Sequence, residues 1–243
     1  MCDWHNKYGL RTLSLHSGQL SPENPCELKR VLVMALVART DTLILVLKPP
    51  TRNDKCVWLV SMRRVDWKEV ERLPIEVDIS TNMQQNIDLS ESRVFFGNGS
   101  SLLAFDVSTE HRLSYVGNVV VNAKYKDFAC TLIDANIIVA FSLRKRLLLQ
   151  RLVGLQLEPL ATLPSVNLSR LLFRGPLLLG TCCNNERKRY ITPILLTGNG
   201  LNSQPQILPD FNAGARVGAW CIAGERLVVQ DRKSDDLLIY VFE

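Results

Sequence analysis

Short apolar runs alternate with polar turns along most of this chain. The runs are four to eight residues long, as in Val31–Ala38, Leu43–Leu47 and Ile137–Phe141. Segments of this length that are rich in Val, Ile and aromatic residues favour β-strands, because helices need longer segments with 3.6-residue periodicity. Many runs come in pairs separated by turn residues, such as Asn98-Gly99, and such pairs are typical of β-hairpins. The pattern predicts an all-β fold built from hairpins.

The hairpins repeat with a period of about 45 residues. Leu-Pro pairs occur at 73–74, 163–164 and 208–209, so the intervals are twice 45 and 45. The centres of the predicted hairpin turns lie near residues 52, 99, 144, 186 and 233, which gives the same period. Repeats of roughly 40–50 residues with four short strands each are typical of β-propeller blades. The period therefore predicts a five-bladed β-propeller.

The predicted blades fill residues 1–243 as a single domain. The first, or inner, strands of the five blades fall at Lys29–Ala38, Ile87–Glu91, Phe128–Ile133, Ser169–Phe173 and Val217–Ala223. The fifth blade has only three strands, and its last strand is predicted at Asp236–Phe242. The alternating segment Leu10–Leu15 has no partner of its own, so we predict that it pairs there and closes the ring, because closure would remove an exposed sheet edge. A fragment of a larger propeller is the alternative.

Two segments resemble known propeller families. Arg93–Thr109 resembles the middle of a kelch or WD40 blade, in which a strand, a tight turn and an apolar strand are followed by an Asp. Val65–Pro74 resembles a kelch outer strand, in which a Trp precedes a terminal Leu-Pro. The resemblance implies a β-propeller that serves as a platform for protein interactions.

Carboxylates are scarce on the predicted inner strands. Five-bladed glycosidases need two carboxylates about 5–9 Å apart. Here Asp88, Glu91, Asp127 and Asp134 lie at or near blade ends, and we interpret Asp127 and Asp134 as turn residues. The three histidines are far apart in sequence, and no C-x-x-C pair is present, so no zinc site is predicted. These observations predict no enzyme, no catalytic residue, no metal and no cofactor.

Cysteines and hydropathy suggest the compartment. The chain has seven cysteines, an odd number, and we interpret them as reduced thiols. The first residues contain no apolar run of the signal-peptide kind, and the longest apolar stretch is too short to cross a bilayer. We therefore expect an intracellular protein, cytoplasmic or nuclear, without a transmembrane segment.

Basic residues concentrate in the turns between the two middle strands of the blades. The chain carries 29 Lys and Arg against 24 Asp and Glu, for a net charge of +5. Four of these five turns hold two or more cations, and in a propeller all such turns emerge on one face, which should attract anions. The predicted partner-binding residues are Arg52, Lys55, Arg144, Lys145, Arg146, Arg187, Lys188, Arg189, Arg232 and Lys233.

Together these features predict a non-catalytic scaffold, a subunit of an intracellular complex. The basic face would dock an acidic peptide or an acidic partner domain from another protein. The first alternative is a subunit associated with nucleic acid or with phosphoinositide in an anionic membrane, using the same face. The second alternative is a five-bladed glycosidase or lectin.

Overall fold

The computed structural model describes residues 7–10, 19, 26–29, 32–38, 41–48, 56–76, 87–90, 92–98, 100–164, 168–183, 189–196, 205–207, 217–223, 226–231, 234 and 236–241. Regular structure in these ranges consists of β-strands in small antiparallel sheets. The fold is all-β and the architecture is a five-bladed β-propeller, which confirms the predicted fold class. The chain divides into two compact units, which we describe separately.

The first unit comprises residues 1–98 and 103–116. It opens with a two-stranded hairpin of β1 (Lys7–Leu10) and β2 (Cys26–Lys29). Blade one follows in the order β3 (Leu32–Ala38), β4 (Thr42–Lys48), β5 (Cys56–Arg63) and β6 (Lys68–Glu76). Blade two consists of β7 (Ile87–Ser90), β8 (Arg93–Asn98), β9 (Ser101–Val107) and β10 (Leu113–Val120), and the boundary between the units falls within this sheet.

An uninterrupted apolar run buries β4 on both of its faces. Ile44 and Val46 pack into one buried cluster with Phe96. The alternate residues Leu43, Leu45 and Leu47 pack into a second cluster. Successive side chains of a strand point to opposite faces, so a strand with apolar residues at every position is buried on both faces. Each fully buried side chain of this kind contributes roughly 1.5–3 kcal/mol relative to exposure.

The second unit comprises residues 99–102 and 117–243 and holds the remaining blades. Blade three consists of β11 (Asp127–Ile133), β12 (Asn136–Ser142), β13 (Arg146–Val153) and β14 (Gln156–Pro164). Blade four consists of β15 (Ser169–Arg174), β16 (Leu177–Cys183), β17 (Arg189–Leu195) and β18 (Gln206–Ile207). Blade five consists of β19 (Val217–Ala223), β20 (Arg226–Asp231) and β21 (Leu237–Val241).

The predicted strand that would close the propeller stays a prediction. Residues 11–15 lie outside the described residues, and Leu10 pairs with Cys26 in the β1–β2 hairpin. Blade five shows three strands within the described part of the chain, and β21 pairs with β20. The described residues contain no helix that is long and apolar enough to cross a membrane.

Candidate functional site

Three polar side chains from two turns of the first unit form a hydrogen-bonded chain. Asp41 and Thr42 lie where the β3–β4 turn enters β4, and His111 lies in the turn between β9 and β10. The Thr42 Oγ1 atom lies 3.2 Å from Asp41 Oδ1 and 2.7 Å from His111 Nδ1. Asp41 is exposed, His111 is half-buried and Thr42 is buried. We call this Asp41–Thr42–His111 arrangement the relay.

The relay satisfies both contacts in only one arrangement of hydrogens. A carboxylate accepts hydrogen bonds and cannot donate them, so the Thr42 hydroxyl must donate its single hydrogen to Asp41. The same hydroxyl oxygen must then accept a hydrogen bond from His111 Nδ1–H. In neutral imidazole, a hydrogen on Nδ1 leaves a lone pair on Nε2. The relay therefore orients His111 so that Nε2 is the basic nitrogen.

Local backbone bonds fix the turn that carries His111. The Ser108 N–H donates to Arg112 O at 2.9 Å, and the His111 N–H donates to Ser108 O at 3.0 Å. The Arg112 N–H also donates to Ser108 Oγ at 3.1 Å. His111 has a φ of 64°, which is uncommon for a residue with a side chain. Strained backbone of this kind is often found at functional sites.

Two arginines and a glutamate adjoin the relay. The Arg64 N–H donates to Asp41 O at 2.8 Å, which ties the β5–β6 turn to the β3–β4 turn. Arg112 follows His111, is largely exposed, and pairs with Glu110 across 3.6 Å. A carboxylate oxygen of Glu71, on β6, accepts the N–H of Leu113 at the start of β10. The site thus combines a histidine with an oriented ring, a carboxylate linked to it through Thr42, and neighbouring charges of both signs.

The sequence analysis missed this site because its residues are distant along the chain. His111 and Thr42 are 69 positions apart, and the histidines were considered only as metal ligands. The predicted strand order nevertheless contained information about which turns lie at the same end of a blade. The first and third turns of a four-stranded antiparallel blade leave the sheet at the same end, so Asp41 and His111 could have been placed there together.

Asp127 and Asp134, which the sequence analysis interprets as turn residues, lie in different structural environments. Asp134 lies in the tight β11–β12 turn with a φ of 47°, which confirms its interpretation as a turn residue. The interpretation is wrong for Asp127, which begins β11 and is buried. Its Oδ1 accepts the Phe128 N–H at 2.8 Å, and its Oδ2 accepts the Leu171 N–H of β15 at 2.7 Å. Because both oxygens accept backbone bonds, Asp127 ties blade three to blade four and is a poor candidate for a base.

The other two carboxylates named from the sequence are Asp88 and Glu91. Asp88 is half-buried on β7, and Glu91 lies outside the described residues. Within the ranges that the structure covers, no group of three His, Cys, Asp or Glu side chains is placed to hold a metal ion.

The predicted basic residues are only partly described. Arg144 and Lys145 lie in the β12–β13 turn, Arg146 begins β13, and all three are exposed. Arg189 is the first residue of β17. The other predicted residues lie outside the described ranges, namely Arg52, Lys55, Arg187, Lys188, Arg232 and Lys233. The single basic face therefore stays a prediction.

Comparison with known proteins yields structural neighbours only. No family model matches the sequence, and no curated protein matches it. A "putative 6-phosphogluconolactonase" from Bacteroides uniformis has a TM-score of 0.64 at 10% identity, over 98% of this chain and 74% of its own. A second protein of that description, from Bacteroides fragilis, has a TM-score of 0.59 at 10% identity, over 96% of this chain and 72% of its own. A functionally unknown protein from Desulfotomaculum acetoxidans has a TM-score of 0.58 at 12% identity, over 83% of this chain, which spans only 65% of that protein.

These neighbours correct the functional expectation from the sequence. At 10–12% identity the likeness shows the fold alone, and membership in the kelch or WD40 families is not confirmed. Two neighbours are nevertheless described as lactonases, which are enzymes, and they cover nearly all of this chain. The expectations of a non-catalytic scaffold and of no enzyme are therefore contradicted. The alternative of a five-bladed glycosidase or lectin fits these neighbours better than the scaffold does.

Proposed function

We propose that this chain is an enzyme that hydrolyses a lactone or ester of an anionic sugar derivative at the relay. The observation that carries the proposal is the 2.7 Å contact between Thr42 Oγ1 and His111 Nδ1. An oriented histidine with a basic Nε2 is the group that general-base hydrolysis needs. The description of the neighbours as lactonases of a phosphorylated sugar acid supports the choice of substrate class.

The proposed reaction uses His111 first as base and then as acid. Nε2 takes a proton from a water molecule while the water oxygen bonds to the lactone carbonyl carbon, and a tetrahedral intermediate forms. The intermediate collapses by breaking the bond between the carbonyl carbon and the ring oxygen. The protonated Nε2 returns its proton to that leaving oxygen, so the product is an open-chain hydroxy acid. Asp41 stabilises the transient imidazolium through Thr42, because the carboxylate negative charge lies one hydroxyl away.

Two arginines lie near the relay, together with the carboxylates of Asp41, Glu71 and Glu110. Arg112 follows His111 directly, and Arg64 lies in the turn whose backbone binds Asp41. Arginine is well suited to phosphate and carboxylate groups, because its planar guanidinium offers paired donors. We expect a phosphorylated lactone to react faster than its neutral counterpart.

The exposed basic turn of blade three supports a separate proposal for the predicted basic face. Arg144, Lys145 and Arg146 follow one another, and the described residues place no ion-pair partner at any of the three. Such a patch would raise the local concentration of anionic ligands at low salt. Replacing all three by Gln should weaken binding of an anionic partner at low salt, and it should leave lactone turnover at the relay unchanged.

The test of the proposed function compares lactone hydrolysis with the uncatalysed reaction. Proton release from 6-phosphoglucono-δ-lactone and from glucono-δ-lactone is followed with wild type, His111→Asn and Thr42→Val. Asn tolerates a positive φ, so His111→Asn should preserve the turn. Loss of the base should cost about 10²–10⁴-fold in turnover. Thr42→Val should cost less, because it removes only the orientation of the ring.

Matched controls separate chemistry from folding. Thr162→Val makes the same change on β14, at an exposed position outside the relay, and should leave turnover unchanged. Thermal melts of each variant should show that the fold is intact. The proposal is overturned if wild type does not accelerate either lactone, or if His111→Asn retains wild-type turnover.

A further inference from the structure

An amide-lined groove lies within the second unit, beside blade three. It encloses about 340 Å³, which is within the size range of small-molecule sites. Its walls come from the end of β10 and the segment after it, from β13, from the β13–β14 turn and from the start of β14. The residues that matter for its chemistry are Asn118, Asn122, Gln150, Gln156, Leu155 and Leu157.

The lining is uncharged and rich in hydrogen-bonding groups. Four carboxamides face one small volume, although 22% of the residues of this chain are charged. Each carboxamide offers two donor hydrogens and an acceptor oxygen. Leu155 and Leu157 are half-buried and add an apolar surface between the amides. The groove is therefore suited to a ligand with many hydroxyl groups and some exposed C–H surface.

Two backbone features shape the groove. Gly117 has a φ of 155°, and a Cβ atom there would lie 2.5 Å from Leu155 Cδ1. The absence of a side chain at Gly117 thus lets Leu155 approach β10 closely. A register shift between Leu149 and Gln150 interrupts the pairing of β13 with β14. β-Bulges often re-aim side chains next to functional sites.

Other classes of ligand fit the groove less well. An anion would find no Lys, Arg or His among the lining residues. A purely apolar ligand would remove the carboxamides from water without replacing their hydrogen bonds, which is costly. A peptide that adds to the outer edge of blade three would meet Pro159 and Pro164 on β14, and proline has no N–H to donate.

We propose that this groove binds a neutral saccharide, with the carboxamides bonding to its hydroxyl groups and the two leucines packing against its ring. This site is separate from the relay and does not depend on the proposed hydrolysis. A sugar ring presents hydroxyl groups that both donate and accept, which matches the mixed capacity of carboxamides.

The experiment measures binding of maltose, cellobiose and diacetylchitobiose to the full chain by titration calorimetry and saturation-transfer NMR. At least one disaccharide should bind saturably in the millimolar range. Gln150→Ala and Asn118→Ala should each weaken binding by about 5–10-fold, because each removes one or two hydrogen bonds. Gly117→Ala should also weaken it, since the new methyl group would displace Leu155. Thr162→Ala, outside the groove on β14, is the matched control and should bind like wild type.

The outcomes distinguish this site from the relay. His111→Asn should leave saccharide binding unchanged, so failure of the hydrolase proposal does not affect this result. Absence of saturable binding for all three disaccharides overturns the proposal. Equal affinity of wild type and Gln150→Ala overturns it as well. Binding of a neutral extended peptide in place of the sugars would show that the groove is a protein-docking site.

Discussion

Replacing Asp127 by Asn tests whether one buried carboxylate joins blades three and four. Its Oδ1 accepts the Phe128 N–H, and its Oδ2 reaches across to the Leu171 N–H of β15. The Leu171 N–H is free for this bond because the register of β15 against β16 shifts between Ser169 and Leu172. In Asp127→Asn, one oxygen becomes an NH₂ group. Whichever way the amide turns, one of the two backbone donors then faces another donor.

The size of the effect follows from the cost of an unsatisfied buried donor. A hydrogen bond to a charged group contributes about 1.5–3 kcal/mol, and a buried polar group left unpaired costs about 1–3 kcal/mol. Asp127 is only 4% exposed, so water cannot readily replace the lost partner. We therefore expect Asp127→Asn to lower the free energy of unfolding by about 2–3 kcal/mol. For a chain of this size that corresponds to a fall in melting temperature of about 4–12 °C.

Urea and thermal denaturation of wild type, Asp127→Asn and Asp134→Asn measure this effect. Asp134 is the matched control, because it is an exposed turn acid with a positive φ that Asn tolerates. Asp134→Asn should change the stability by less than about 0.5 kcal/mol. If both variants melt like wild type, the Asp127 carboxylate does not stabilise the packing of β11 against β15 and the reasoning fails.

Three further predictions concern other parts of the fold. Gly180→Ala should destabilise the protein by about 1–3 kcal/mol in urea denaturation, because the added Cβ would lie 2.8 Å from Leu168 Cδ1; wild-type stability would show that the core adapts freely. The hydrogen bonds from Arg63 lower the pKa of Asp66 from 3.8 to about 2, so the ion pair stabilises the fold above pH 3.8 and ceases to do so as the pH falls towards 2. The difference in melting temperature between wild type and Asp66→Asn should shrink across that window, and a constant difference would argue against the ion pair. Deleting residues 1–20 should increase aggregation, measured by light scattering, since the predicted closing strand Leu10–Leu15 would be lost; a truncated protein that stays monomeric with an unchanged melting temperature would refute closure.

The architecture was predictable because the information is local and repeated. The inner strands of blades one and three begin and end within a few residues of their predicted bounds, as β3 (Leu32–Ala38) and β11 (Asp127–Ile133) show. A blade strand that is buried on both faces must carry apolar residues at every position. Its turns must carry residues suited to tight reversal. Both requirements can be recognised in the sequence as apolar runs and turn residues. Five repetitions of this pattern give the number of blades.

The candidate site was not predictable in the same way, because the relay depends on contacts between turns. The 2.7 Å approach of His111 to Thr42 requires two blades to place two turns side by side. Neither residue belongs to a motif with fixed spacing. Paired carboxylates on inner strands, the pattern of glycosidases, are the catalytic signature that a propeller sequence shows most directly. The Thr42 hydroxyl at the start of β4 and the His111 imidazole in the β9–β10 turn do not match that pattern.

The backbone at His111 is left-handed, and four other described residues with side chains share this conformation. A left-handed conformation costs an ordinary residue of the order of 1 kcal/mol or more, and glycine would adopt it without that cost. The Ser108 bonds to His111 and Arg112 hold the turn closed without any contribution from the imidazole. Chain reversal alone would therefore be served better by Gly or Asn at position 111. The imidazole is instead bonded to a buried hydroxyl, which is in turn bonded to a carboxylate. Since Trp67, Asp134, Ala135 and Arg170 are also left-handed, the bonded chain to Thr42 and Asp41, and not the backbone strain, distinguishes His111 as a candidate base.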